Sequence, residues 1–368
     1  LPGRRAAALS VTPAVEASPI RDAPRPSDPE ETSVPGDDAD WVAKSVASEE
    51  GARQSLAAIL AATPVLETDS DEEVAEDPSA IFQAIHELCD LPTLASLANT
   101  FRHWMGQPDQ DLERFLEVVR ADPVLVLEIL KVSQSAYYAL DVERLSLEHC
   151  VAYLGTQHIR LMATSIAART QLSEWNQHYN WQPLWMHGYA VAVVADDLRR
   201  AFRLGAMSDL HIAALLHDIG KVILSAAFPR TYGEILNRSL NENTPLVELE
   251  RERFSLDHEE VGALYARRHH FPPSIEEAIR RHNEPGESGK NAEMIALIQV
   301  ANHVTHALGL GYSGSRAGIL ADFWETPGWE ILRAKNTRTA AKNTPEVIRS
   351  RLLRRQESWR AELRRLFA

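Results

Sequence analysis

Cysteine is almost missing from this 368-residue chain: Cys89 and Cys150 are the only two, and neither stands in a CxxC or Cys/His zinc spacing. A disulfide framework and a thiolate zinc knot are thereby excluded, and a reducing compartment is expected. Long apolar runs are scarce as well. A bilayer span needs roughly 20 apolar residues, and the opening LPGRRAAALSVTPAVEASP offers only a short stretch broken by Pro13. Neither export nor membrane insertion is expected, and the chain reads as cytoplasmic. Sustained apolar/polar alternation is also lacking, so no sheet is expected. The chain opens on Leu1 and not on Met, which suggests that it begins inside a longer sequence, with room for an upstream domain.

Basic charge is lacking at one end and concentrated at the other. Residues 1–80 carry six Lys and Arg against seventeen Asp and Glu, whereas residues 330–368 carry eleven against four. The acidic body gains no counterion release from nucleic acid, so nucleic acid is not an expected partner and only the C-terminal tail could meet phosphates. Residues 1–79 are rich in Pro, Ala, Asp and Glu, with Pro24, Pro26, Pro29 and Pro35 closely spaced. Such a segment buries too little apolar surface to offset its ordering entropy, and a disordered linker is expected there.

From Ile81 onward apolar residues recur every three or four positions between clusters of Gly, Pro, Asn and Asp. The spacing predicts an all-α domain over 80–308, with a first lobe at 80–180 and a second at 181–308, then a loop and a basic helix over 309–368. Asp122-Pro123 and Thr344-Pro345 carry the N-cap and N1-proline signature of helix starts. One continuous helix is expected from Leu210 to Leu224, and a loop from Gly309 to Gly328. No repeat of 20 to 50 residues is present, which argues against a solenoid.

The most informative string is Ala213-Ala-Leu-Leu-His-Asp-Ile-Gly-Lys-Val-Ile-Leu224, where His217 and Asp218 interrupt an apolar helix. Buried polar groups are costly without partners. A lone His-Asp pair would be satisfied by local hydrogen bonds near Gly220. Here it is accompanied by His187 upstream and by His258 and His282 downstream.

A helical His, then His-Asp-x-Gly-Lys, then later histidines resembles the metal site of the HD-type metallophosphohydrolases. The resemblance implies that His187, His217, Asp218, His258 and His282 converge on a divalent metal: iron, manganese, nickel or magnesium. Imidazole and carboxylate suit such an ion, which would activate water and neutralise phosphoryl charge. Lys221 is then a phosphate-facing cation at the pocket edge. Two positions depart from the superfamily pattern. Val300-Ala-Asn302-His places Asn302 where the hydrolases carry a last Asp, and Asn283 follows His282 where the cyclic-dinucleotide phosphodiesterases have a second His.

Other strings resemble the HDOD branch, the HD-related output domains. They are Leu91-Pro-Thr-Leu, the run from Asp122-Pro-Val-Leu to Val132-Ser with Ser135-Ala-Tyr-Tyr, and Leu147-Glu-His-Cys-Val-Ala-Tyr-Leu-Gly. Leu249-Glu-Arg-Glu and Asp257-His-Glu-Glu-Val-Gly262 follow in the same order, so the resemblance spans about 80–308. It implies a signal-transduction output module acting by protein contacts with a receiver, kinase, cyclase or transcriptional regulator. The alternative is a metal-dependent phosphohydrolase or phosphodiesterase acting on a nucleotide or cyclic dinucleotide.

Trp175, Trp181 and Trp185 are read as packing at the lobe junction in preference to a stacking or peptide-binding surface. His269-His270, and His303 with His306, are read as exposed or capping. The glycines at 309–314 lack the Lys-Ser/Thr of a phosphate loop. The terminal helix sets Ile348, Leu352, Trp359, Leu363 and Leu366 against Arg351, Arg354, Arg355, Arg360, Arg364 and Arg365. Such a helix can dock on its own domain, on a membrane or on a partner.

Overall fold

A computed structural model describes residues 79, 81–83, 112–134, 146–155, 159, 182–286, 289–314, 322–336 and 342–367. The leader, the Leu91-Pro-Thr-Leu and Ser135-Ala-Tyr-Tyr strings, Cys89, Trp175 and Trp181 lie outside them. Among the described residues no strand occurs, and the bounded elements are thirteen α-helices and one 3-10 turn at Phe323–Glu325. The chain is all-α.

The first lobe contributes α1 (Leu112–Ala121), α2 (Pro123–Gln134) and α3 (Leu147–Leu154). Asp122 starts α2 as its composition requires: its Oδ1 accepts from the Val124 and Leu125 amides at 2.9 and 3.1 Å. Val124 to Leu127, Ile129 and Leu130 of α2 are buried, so this helix is core on nearly every side.

The second lobe contains α4 (Gln182–Ala201), α5 (Leu210–Leu216), α6 (Ile219–Ala227), α7 (Pro229–Glu242), α8 (Leu246–Phe254), α9 (His258–Arg268), α10 (Pro273–Arg281) and α11 (Ala292–Ala307). Helix α4 packs against α5 and α11, while α6 packs against α7 and α9. Asp257 forms a full capping box with Glu260 at the start of α9. Helices α7 and α8 stop at Asn243 and Ser255, both left-handed.

The expected single helix from Leu210 to Leu224 is two. The chain turns at His217 and Asp218, so that α5 lies on α4 and α10 while α6 departs toward α7 and α9. Gly220 lets α6 lie close on α9: a Cβ there would collide with the backbone oxygen of His258. The apolar stretch Leu210–Ala227 has the length and hydropathy of a membrane span, yet 89% of it is buried inside the protein and neither helix within it exceeds nine residues.

Two further elements follow, α12 (Pro327–Lys335) and α13 (Pro345–Phe367). The start of α12 falls inside the expected loop at 309–328. Its signal was present: Thr326 caps it, accepting from the Trp329 amide at 3.2 Å, and Pro327 takes N1. Helix α13 lies back on α4, burying Ile348, Leu352, Trp359, Leu363 and Leu366. Arg355 and the Trp359 indole N–H both reach Asp197 at 3.0 Å, and Tyr189 donates to Glu362 at 2.6 Å. Of the three fates open to a basic amphipathic helix, docking on its own domain is the one realised.

Candidate metal centre

The candidate polar residues come from five separate places in the second lobe. His187 stands on α4, His217 and Asp218 at the α5/α6 turn, His258 at the start of α9, His282 at the end of α10 and Asn302 on α11. All six are buried, none more than 6% exposed. Asp218 lies between two groups of imidazoles. Its Oδ2 is 3.3 Å from His217 Nε2 and 3.9 Å from His187 Nε2, and its Oδ1 is 3.5 Å from the Nε2 atoms of both His258 and His282. Two triads therefore share one carboxylate, with ligand atoms in each triad lying within 4.8 Å of one another.

Local backbone geometry decides which ring nitrogen faces inward. His217 Nδ1 donates to the Ala214 carbonyl at 2.7 Å and His282 Nδ1 to the Ile279 carbonyl at 2.9 Å. His258 Nδ1 lies 2.6 Å from Glu250 Oε2. In each ring Nδ1 is the nitrogen committed to a backbone or carboxylate oxygen, which leaves Nε2 turned toward Asp218. Glu250 is itself fully buried and held by the Tyr232 hydroxyl at 2.7 Å and the His258 amide at 3.0 Å.

The inward atoms lack partners. His187 Nε2, His217 Nε2, His258 Nε2, Asp218 Oδ1 and Asn302 Oδ1 are buried with no hydrogen bond. Orphaned polar atoms are costly, and four of these, on Asp218 and the three imidazoles beside it, call for something that takes lone pairs. A divalent cation fits that donor set.

Electrostatics keeps most of the set free of protons. Burial holds the His187 imidazole well below its ordinary range, with His306 and His217 adding to the effect. Burial lowers His217 in the same way. Burial alone would push Asp218 up, but His217 and Lys221 outweigh it and hold the carboxyl well below the usual carboxylate range. His282 differs: burial lowers it, while Glu259 and Asp218 outweigh burial and raise it.

Lys221 is inside the cluster and not at its edge. It is 5% exposed, its Nζ lying 2.9 Å from Asp218 Oδ2 and 3.3 Å from the Ser313 hydroxyl. In this arrangement the ammonium is the internal counter-ion of Asp218.

His306 was expected to be exposed or capping and is neither. It stands one turn after Asn302 on α11, its ring 4.5 Å from that of His187, and its Nε2 is 3.2 Å from Ser313 Oγ. The spacing of Asn302 and His306, four residues apart on one helix face, was the available signal. His270 is exposed and His269 caps the end of α9, as expected. Glu250, Glu259 and Ser313 also went unassigned, the two glutamates lying within strings already recognised. Gly311 explains how the Ser313 segment comes so close: at φ 91°, it lies where a Cβ would sit 2.5 Å from the His187 amide nitrogen. Trp185 is buried on α4, as aromatic packing requires.

Known proteins give this geometry a family. The fold matches the MmoQ response regulator of Methylococcus capsulatus str. Bath at a TM-score of 0.55 and 22% identity, covering 72% of this chain and 99% of that one. It also matches a virulence factor of Campylobacter jejuni at a TM-score of 0.53 and 17% identity, covering 71% and 92%. An uncharacterized protein of Treponema pallidum (strain Nichols) is 25% identical over 215 residues, which is 58% of this chain but only 42% of that protein. The chain thus spans less than half the length of that relative. The HDOD domain model matches residues 91–285, more than half the chain and all but one of the cluster residues, and the chain belongs to the HDOD family.

Proposed function

We propose that this chain is the output module of a bacterial-type signalling pathway, acting mainly through protein contacts around a partly retained HD-type metal pocket. The observation that carries this reading is burial. The ligand candidates are at most 6% exposed, and Lys221 with Ser313 closes over Asp218 from the α6 side. Asp218 is itself only 4% exposed, so a phosphodiester would have to displace buried side chains to reach it, whereas a metal held there would tie three helices and a turn together. The partner is a receiver, kinase, cyclase or transcriptional regulator, a role the name of the M. capsulatus response regulator also fits. The domain limits of 80–308, with lobes meeting near 180, and a cytoplasmic location belong to the same proposal.

A second reading is a divalent-metal-dependent phosphohydrolase or phosphodiesterase acting on a nucleotide or cyclic dinucleotide. The four orphaned atoms on Asp218, His187, His217 and His258 favour it. When bound, a divalent ion supplies Lewis-acid charge neutralisation and lowers the pKa of water. His187, His217 and Asp218 would hold it on one side, and Asp218, His258 and His282 on the other. Asn302 brings a neutral oxygen where a carboxylate would add charge, which weakens the hold on a dication.

The two readings separate in one comparison of wild type with His217→Ala. Partner binding retained in a folded variant, with no turnover of nucleotides, cyclic dinucleotides or a generic phosphodiester in manganese, iron or nickel, supports the output module. Metal-dependent turnover that His217→Ala abolishes would replace it with the enzyme.

A further inference from the structure

The two triads are not equivalent, and the difference lies in Asn283. Its side-chain Nδ2 is 3.1 Å from His282 Nε2. That nitrogen is the one turned toward Asp218, since Nδ1 of the same ring is committed to the Ile279 carbonyl. An unprotonated imidazole nitrogen has a single lone pair, so the amide of Asn283 and a metal ion cannot use it together.

The other triad is also engaged, at the Asp218 Oδ2 that receives the Lys221 ammonium at 2.9 Å. A carboxylate oxygen has two lone pairs and can accept from Lys221 while ligating. His187 Nε2 and His217 Nε2 carry no hydrogen bond at all. One position is therefore open with its counter-ion in place, and the other is capped.

The cap is held from outside the cluster. The Asn283 amide nitrogen donates to Glu259 Oε1 at 3.1 Å, and its carbonyl accepts from the Gln299 side chain. Gln299 Oε1 in turn accepts from the Gly328 amide at 2.7 Å, at the start of α12. The position of α12 and the state of His282 are thus joined by hydrogen bonds through two residues.

We propose that Asn283 is a positioning residue that caps the His282 lone pair, making the protein bind one divalent ion at His187, His217 and Asp218 and keeping the Asp218, His258 and His282 position latent. This rests on the metal-pocket reading given above. Both anchors of Asn283 are main-chain groups, so Asn283→Ala removes the cap and keeps the loop. Breaking one amide hydrogen bond before ligation costs about 1 kcal/mol, roughly fivefold in affinity. Partners one step removed from a metal commonly change its affinity by about 10- to 100-fold.

The test is a Mn2+ titration of the full chain, followed by calorimetry and by electron paramagnetic resonance, with circular dichroism to verify the fold. Wild type is expected to take one Mn2+ tightly and a second at least about tenfold more weakly. In Asn283→Ala the second ion should bind about tenfold tighter, with a spin-coupled pair signal appearing at lower Mn2+. Adding His282→Ala to that variant should remove the second ion and keep the first, which loss of loop structure would not do. An unchanged second affinity in Asn283→Ala, or two equally tight ions in wild type, overturns the cap while leaving the metal pocket standing. No Mn2+ in either protein overturns the pocket and the cap together.

Discussion

The cluster around Asp218 and the clasp of α13 on α4 both use ion pairs, but in opposite solvents. Asp218 and Lys221 meet with side chains 5% and 7% exposed, whereas Glu117 and Arg365, which tie α13 to the first lobe, meet at 38% and 47%. In the clasp, water already solvates both charges and the pair decorates an apolar seam. Inside the cluster each charge depends on its partner. A group of the same chemistry is expendable in one region and indispensable in the other, and the contrast is measurable.

The largest effect is expected where backbone, not charge, holds the cluster together. Gly220→Ala drives a Cβ into the His258 main chain, so it should cost more than about 4 kcal/mol in urea unfolding or leave no folded protein. A variant with wild-type stability would show that α6 and α9 can separate, and that the cluster is as tolerant as the clasp.

Lys221→Met comes next, because it strands a buried carboxylate. The expected loss is about 3–5 kcal/mol for the metal-free protein. A divalent ion should recover much of it by binding the folded form. A loss below about 1 kcal/mol would erase the distinction between the two regions.

Acid should act on the buried histidines before it acts on the clasp. Burial, with Lys221 next, pushes His306 down to about 3, and burial, with Lys131 and Arg268, pushes His269 down to about 4. Both lie below the unfolded value of about 6.5. Between those limits the unfolded chain takes up protons that the folded chain refuses, so stability falls as pH falls from about 6.5 toward 3. His187 and His217 act in the same direction, while His282, which is raised, opposes them. The melting temperature of the metal-free protein should drop by several degrees between pH 7 and pH 5. A flat profile over that range would mean that the rings are hydrated.

The smallest effect belongs to the clasp pair. Arg365→Ala, Glu117→Ala and the double variant should each lie within about 1 kcal/mol of wild type, with a coupling energy that salt abolishes. A coupling above that figure would make α13 an electrostatic strut, where the structure places an apolar one.

Much of this was legible from local sequence. Asp122-Pro123 and Thr344-Pro345 announced helix starts because a cap is a contact among residues two or three apart. The order of His187, His217-Asp218, His258 and His282 likewise singled out the cluster residues. The reading failed where a neighbour in space was needed. The turn at His217 escaped because the two helices it joins pack on different neighbours, and His306 escaped because its partner is a ring on α4. Lys221 pointed inward because Asp218 is buried beside it, a fact no spacing reveals. The missed α12 is different: Thr326-Pro327 carried the same local signal as Asp122-Pro123.

By itself, then, the sequence determined the helical class, the helix starts at Pro123 and Pro345, and the order of the His and Asp residues of the cluster, since period, caps and residue type act over a few covalent steps. Tertiary structure alone decided that one carboxylate is shared between two sets of imidazoles, that Nε2 and not Nδ1 faces it, that Lys221 is its counter-ion, and that Asn283 covers His282. The physical reason is that each of these is a contact across helices. Its distance is set by how the helices pack, and residues far apart in the chain have no other way to fix it.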